Sequence, residues 1–590
     1  MKNYNKVATS ALCLWLLGST ALAAPQDVLQ SPDEPMGQLE PDQILAPPPP
    51  KPAPVTPPAP PPEDITIDNA SGISIAEARA STDSLGIASI KGLDRRLWEY
   101  LALDEALTLF TSIPDDLQPG VIRNTLIHML LMQANAPRHS KGEWLYTRLD
   151  QLQRLGDVTS ALALMQQVPA SFRDPAFMER IATLQLQKGE LLGACKSLAD
   201  YIESNNNPLS DPLEHLRLYC MAKGGATSEV ELALSIRNEA GTATPAWFVG
   251  LIESLQYDTT KIPAPDTELA ALDLALLLSA GGKHWPDDLA LSDYFHIRYL
   301  PYYGLIGRAP DFDLTTQITL LERAILSDRT LAPILAQRYQ QLATSKSGDP
   351  AQRTRASGYN DMITGTASNK SFALMREAIR PIIQAGRIEL AHALLRKPLL
   401  ALTKNLQDNP PYHDYAPYSF AILLRAGDVQ PASQWVRMMG LHRDNEPKTH
   451  IAYELTRFIE SKAEVKSEEA NTLPPYTIPD KTDENDLKML RRYYRLMELF
   501  GYQVPSVTQQ IADELLQENT TAQATPLIDS YATRGSLAGI ILAAASLQSH
   551  HNLSQLDDGV LISIIQGLQK TGHDAIARQL AVESVLAFYQ

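Results

Sequence analysis

Gly156-Asp157-Val158-Thr159-Ser160-Ala161 stands at the seam of two apolar-periodic runs, and its form recurs four more times in the chain. The other copies run from Gly189 to Ala194, Gly386 to Ala391, Gly427 to Ala432 and Gly572 to Ala577, each with a polar residue after the Gly. Gly accepts the left-handed backbone of a helix C-terminal cap, and a polar neighbour can start the next helix. Ala is small where two helices approach most closely. The bare Gly-to-Ala spacing is a weak signal in an Ala-rich chain, so the flanks decide. Four residues after the Ala stand Met165, Leu198, Leu395, Val436 and Ala581. Four residues before the Gly stand Leu152, Ile382, Leu423 and Leu568, with Gln185 the exception. Those offsets put apolar side chains on one face of the incoming helix and one face of the outgoing helix. The fold expected is all-α, an α-solenoid of helix-turn-helix repeats.

The phrase resembles the hairpin turn of the tetratricopeptide-repeat family, Gly-Asp-aromatic-x-x-Ala. Gly156 and Gly189 are 33 residues apart, close to that family's period. Val158, Leu191, Ile388 and Val429 stand where the family has its aromatic residue. The resemblance implies the helix-turn-helix geometry at the five turns. The family's peptide-clamping Lys and Asn positions do not map onto this chain.

The amino terminus reads as a cleaved export signal over residues 1–23. Lys2 and Lys6 are followed by the mostly apolar Val7 to Leu17, and Ala21-Leu22-Ala23 offers a small-x-small cleavage site. Loss of Lys2 and Lys6, with no acid removed, takes the net charge from −17 to −19. Such an acidic chain excludes nucleic acid as a partner, since that interface needs a cationic surface. Residues 24–92 read as a disordered arm. Eleven of the sixteen residues from Pro47 to Pro62 are Pro, which imposes extended polyproline conformation over roughly 50 Å. Ile65-Thr66-Ile67, Ile73-Ser74-Ile75 and Leu85-Gly86-Ile87 fit either short strands or a segment adhering to the first helices.

From residue 93 onward Leu and Ala recur at helical spacing, and no apolar run reaches the eighteen or so residues of a membrane span. A main solenoid is expected over 93–460, a linker over 461–484 and a C-terminal helical block over 485–590, with residues 345–370 a longer polar turn. Cys195 and Cys220 are the two cysteines left after signal removal. Each lies ten residues from its own end of the connection Asn205–Ser210, so antiparallel helices bring them level. A disulfide there is worth about 3 kcal/mol.

No catalytic, cofactor-binding or metal-binding set emerges. The twelve His are scattered, with no His-Glu-x-x-His, no phosphate-cradling Gly-rich loop and no Gly-x-Ser-x-Gly turn. Two aromatic groups, around Tyr302 and Tyr303 and around Tyr412 and Tyr415, suit either a binding groove or core packing and loop bracing. Lys488, Arg491, Arg492 and Arg495 with Tyr493 and Tyr494 form a basic-aromatic helix. It fits either an acidic partner or glycan, or a solvated face that contacts the acidic body in cis. The expected function is an exported, periplasmic or secreted, non-enzymatic scaffold that holds an envelope protein. A wall-associated factor of lytic-transglycosylase type and a holdase chaperone are the alternatives.

Overall fold

Gly156, Gly189, Gly427 and Gly572 adopt left-handed backbone, with φ between 74° and 82°. At each, the next amide reaches the carbonyl five residues back: Asp157 to Leu152, Glu190 to Gln185, Asp428 to Leu423 and His573 to Leu568, all at 2.8–2.9 Å. The Gly amide itself bonds the carbonyl three residues back, which completes a Schellman cap. The following helix begins two residues after the Gly. The alanine amide then closes its first turn on the residue after the Gly, as in Ala161 to Asp157 at 3.0 Å. All four alanines are fully buried. The same cap recurs at Gly225 and Gly535, where the alanine position holds Val230 and Ile540, also fully buried. The turn therefore requires an apolar residue at that place rather than Ala as such.

The computed structural model describes residues 82–87 and 93–589, less short stretches of which 280–312, 365–387, 461–471 and 506–524 are the longest. Every described residue belongs to the unit Ser71–Gln590. The expected leader 1–23, the Pro-rich run, Tyr302, Tyr303 and Gly386 lie outside the described residues.

The chain opens with α1 (Leu103–Ser112) and α2 (Val121–Leu131). Three hairpins follow: α3 (Trp144–Arg154) with α4 (Val158–Gln166), α5 (Pro175–Gln187) with α6 (Leu191–Ser204), and α7 (Asp211–Lys223) with α8 (Thr227–Glu239). Next come α9 (Ala246–Gln256), α10 (Ala271–Ser279), α11 (Leu314–Ala324), α12 (Ala332–Thr344), α13 (Pro350–Thr364) and α14 (Ile388–Thr403). The short α15 (Pro410–His413) leads into the hairpin of α16 (Ala416–Arg425) and α17 (Val429–Met439), then α18 (Glu446–Glu460). After α19 (Glu484–Leu499) the chain ends in two more hairpins, α20 (Thr525–Thr533) with α21 (Leu537–Leu547) and α22 (Asp558–Lys570) with α23 (Asp574–Leu586). Among the described residues every regular element is a helix, apart from two isolated bridges, Ala102 to Arg138 and Thr472 to Gln503. None of the described helices is long and apolar enough to cross a membrane.

Most successive helices pack on one another, and α10 packs against α5 and α7. The two ends of the helical body meet. Helix α21 packs on α1 and α2, and α23 packs on α2. Arg534 pairs with Glu105 at 3.0 Å, and the Ser546 hydroxyl donates to the Leu109 carbonyl at 3.3 Å. One apolar core runs from Leu97 to Tyr589. The C-terminal block therefore docks on the rest: Arg578 donates to the Phe458 carbonyl and the Tyr589 hydroxyl to the Lys448 carbonyl, both at 2.6 Å. Within 461–484, Leu473 is buried and its amide bonds the Gln503 carbonyl, while Tyr476 stacks on His450 at 4.2 Å.

Residues 345–370, expected as a turn, contain helix α13 instead. Pro350 suits a helix start, and two buried side chains, Ala356 and Tyr359, anchor an otherwise polar helix, with Tyr359 5.7 Å from Tyr339 of α12. Leu85-Gly86-Ile87 forms no strand and lies against the first helices. Ile87 bonds the Leu131 carbonyl, and a Cβ on Gly86 would stand 2.1 Å from the Gln133 nitrogen. Fully buried Arg148 staples this segment down by donating to the carbonyls of Leu85, Leu130 and Met132. Burial lowers the Arg148 pKa to about 10, against the opposing field of Asp83.

Candidate functional site

The basic residues of α19 divide between interior and surface. Arg492 is 4 % exposed and does not belong to a partner surface. Its Nε donates to Asp558 at 2.6 Å, its two terminal nitrogens donate to the carbonyls of Leu553 and Leu556, and its guanidinium lies 4.9 Å from the centre of the Phe588 ring. Burial lowers its pKa while Asp558 opposes that shift. Helical periodicity explains the outcome: Tyr493, Leu496 and Met497 pack in the core, and Arg492 shares enough of their face to go under. Arg491 is half-buried and reaches the other oxygen of Asp558 at 3.2 Å. Lys488 is exposed and pairs with Glu484 one turn away, and Arg495 is half-buried. Lys488 and Arg491, with Asn485, Ser554, Gln555 and Asp557, line a polar cavity of about 560 Å³ between α19 and the turn that precedes α22.

The tyrosine group around Pro411 braces the core. Tyr415 is buried at the start of α16, and Tyr412 meets Trp435 edge-on at 6.2 Å. Cys195 of α6 and Cys220 of α7 lie at disulfide distance, with Cα atoms 5.7 Å apart.

A second cavity, of about 550 Å³, opens where α2, α16, α18 and α23 converge, with Val121, Leu424, Phe458, Ile459, Val582 and Leu586 on its walls. Glu583 holds the convergence together. Its side chain is 6 % exposed, pairs with Arg425 at 2.5 Å and accepts the Val121 amide at 2.7 Å. A Cβ on Gly120 would come within 2.8 Å of its carboxylate, so any side chain there would push the Glu583 carboxylate aside. Arg578 lies over the Phe458 ring at 3.9 Å. Sequence reading missed Glu583, yet a signal existed: a lone acid between Ala581-Val582 and Val585-Leu586 is an acid facing the core, and a buried carboxylate needs a partner.

Two more polar groups are internal. His215 bonds Asp273 at 2.9 Å and stacks on Phe248 at 4.3 Å. His450 meets the Tyr494 hydroxyl at 3.0 Å, and burial lowers its pKa to about 4, while burial raises that of neighbouring Glu454. Among the described residues no three His, Cys, Asp or Glu side chains group as a metal ion would require.

On the surface, α8 is unusual. Of its thirteen residues only Val230 is buried, and Leu232 and Ile236, one turn apart, are 62 % and 56 % exposed. Leu192 at the start of α6 is 86 % exposed.

No protein-family model matches the chain, and comparison with curated proteins and with solved structures finds no similar one.

Proposed function

We propose that this chain is an exported, non-enzymatic scaffold, an α-solenoid of helical hairpins that holds an envelope protein on the exposed apolar face of α8. The observation that carries the reading is the pair Leu232 and Ile236, presented one turn apart on a helix that buries only Val230. Apolar anchors on a rigid helix face are what a partner helix or groove engages. Covering both would contribute about 1–2 kcal/mol each from apolar area alone. The signal-like residues 1–23 and the cysteine pair at bonding distance support an oxidising, extracytoplasmic location.

Crosslinking in intact cells followed by affinity capture tests this. Wild-type protein should recover a reproducible envelope partner, and Leu232→Asp with Ile236→Asp should lose it. Because both side chains are exposed, the double variant should melt with the wild type. Undiminished recovery with the variant, or no partner with the wild type, would refute the proposal.

A further inference from the structure

We propose that the polar cavity between α19 and the turn preceding α22 is a binding site for a small hydroxyl-rich anion, of the size of a sugar bearing one carboxylate or phosphate. Its volume of about 560 Å³ falls in the range of ligand pockets. Its wall is rich in groups that recognise hydroxyls and negative charge: the Lys488 ammonium, the Arg491 guanidinium, the Asn485 and Gln555 amides and the Ser554 hydroxyl.

The two acids on the wall do not cancel that preference, because both are engaged by the protein. Asp558 accepts from Arg491 on one oxygen and from Arg492 on the other. Asp557 accepts the amides of Gly559 and Val560 as the N-cap of α22. The lining carries Lys488, Arg491 and the buried Arg492 against Asp557 and Asp558, one cation in excess on a chain whose net charge is −17, and Glu484, the partner of Lys488, stands outside it. The bridge from Lys488 to Glu484 joins side chains 45 % and 81 % exposed, so a ligand anion can replace it at little cost. Arg492 supplies rigidity. Its bonds to Asp558, Leu553 and Leu556 fix the turn that forms the far wall, so the donors are placed before a ligand arrives. Phe588 adds an apolar surface for the carbon face of a sugar ring.

Calorimetric titration of the full chain at low salt, with glucuronate, glucose 6-phosphate, glucose and inorganic phosphate, decides the matter. At least one charged sugar should bind one-to-one with Kd below about 1 mM. Glucose and inorganic phosphate should each bind at least about tenfold more weakly, since each lacks one half of the recognised chemistry. Lys488→Glu should abolish binding while the melting temperature holds, because Lys488 is exposed. Glucuronate against glucose 6-phosphate distinguishes carboxylate from phosphate. The proposal is overturned if neither charged sugar binds, if glucose binds as well as they do, or if Lys488→Glu binds like the wild type. Inorganic phosphate binding as tightly as glucose 6-phosphate would mean an adventitious ion only, and would overturn it too.

Discussion

Removal of the Glu583 carboxylate should loosen the junction between the two ends of the helical body. In Glu583→Ala, Arg425, whose side chain is only 11 % exposed, loses a carboxylate at 2.5 Å, and the Val121 amide loses an acceptor at 2.7 Å. Breaking a buried ion pair from one side costs about 3–5 kcal/mol, and leaving a buried amide without its acceptor costs about 1–3 kcal/mol. The two losses overlap, so a total of about 4 kcal/mol is expected. That is a large part of the roughly 5–15 kcal/mol that stabilises a native protein. Urea denaturation should show the drop in midpoint. Hydrogen exchange should show where it acts, as faster exchange of the Val121 amide and of α21 and α23. Glu583→Gln keeps an oxygen for the Val121 amide and loses the charge, and should cost about half as much. Replacing both partners, Glu583→Leu with Arg425→Met, should recover most of the loss, because an apolar pair leaves no charge to be solvated. A Glu583→Ala cost below about 1 kcal/mol, with unchanged exchange at Val121, would refute the reasoning.

Gly427 has φ of +82°, and a Cβ there would meet nothing within 4 Å. Gly427→Ala should therefore cost only the backbone term of about 1–2 kcal/mol, measured by urea denaturation, and a cost near zero would contradict the capping account. His450 has a folded pKa of about 4, below the roughly 6.5 of an unfolded histidine, so the folded state resists its protonation. The associated stability is fully present above pH of about 6.5 and is lost as pH falls toward 4, by on the order of 3 kcal/mol. Glu454 and Asp486, whose pKa values burial raises, act in the opposite sense, so the comparison must be with His450→Gln. Between pH 7 and 5 the wild type should lose about 2 kcal/mol more than that variant, and parallel pH profiles would reject the assignment.

What was legible in the sequence is what the chain decides over a few residues. A left-handed Gly, an amide that reaches back five residues and an apolar residue that closes the next turn all lie within one window, so periodicity and a Gly reveal them. Gly225 and Gly535 stand outside the phrase because the interior accepts Val230 and Ile540 in the place of its Ala, and Gly225 also because Ala226 follows it where the phrase has a polar residue. The pairing of Cys195 with Cys220 was legible for the same reason, since a short connection sets the register of two antiparallel helices.

The sequence by itself determined that the chain is helical, where several hairpins turn, and which two cysteines face each other. Only the tertiary structure decided that α23 closes on α2, that Arg492 goes inside while Lys488 stays out, and that polar Pro350–Thr364 is a helix. Glu583 and Val121 are separated by 462 residues, and no local pattern encodes which distant amide a buried acid will meet. Local backbone preference acts through neighbours along the chain. Charge partners and cavities depend on which faces the packed core leaves together.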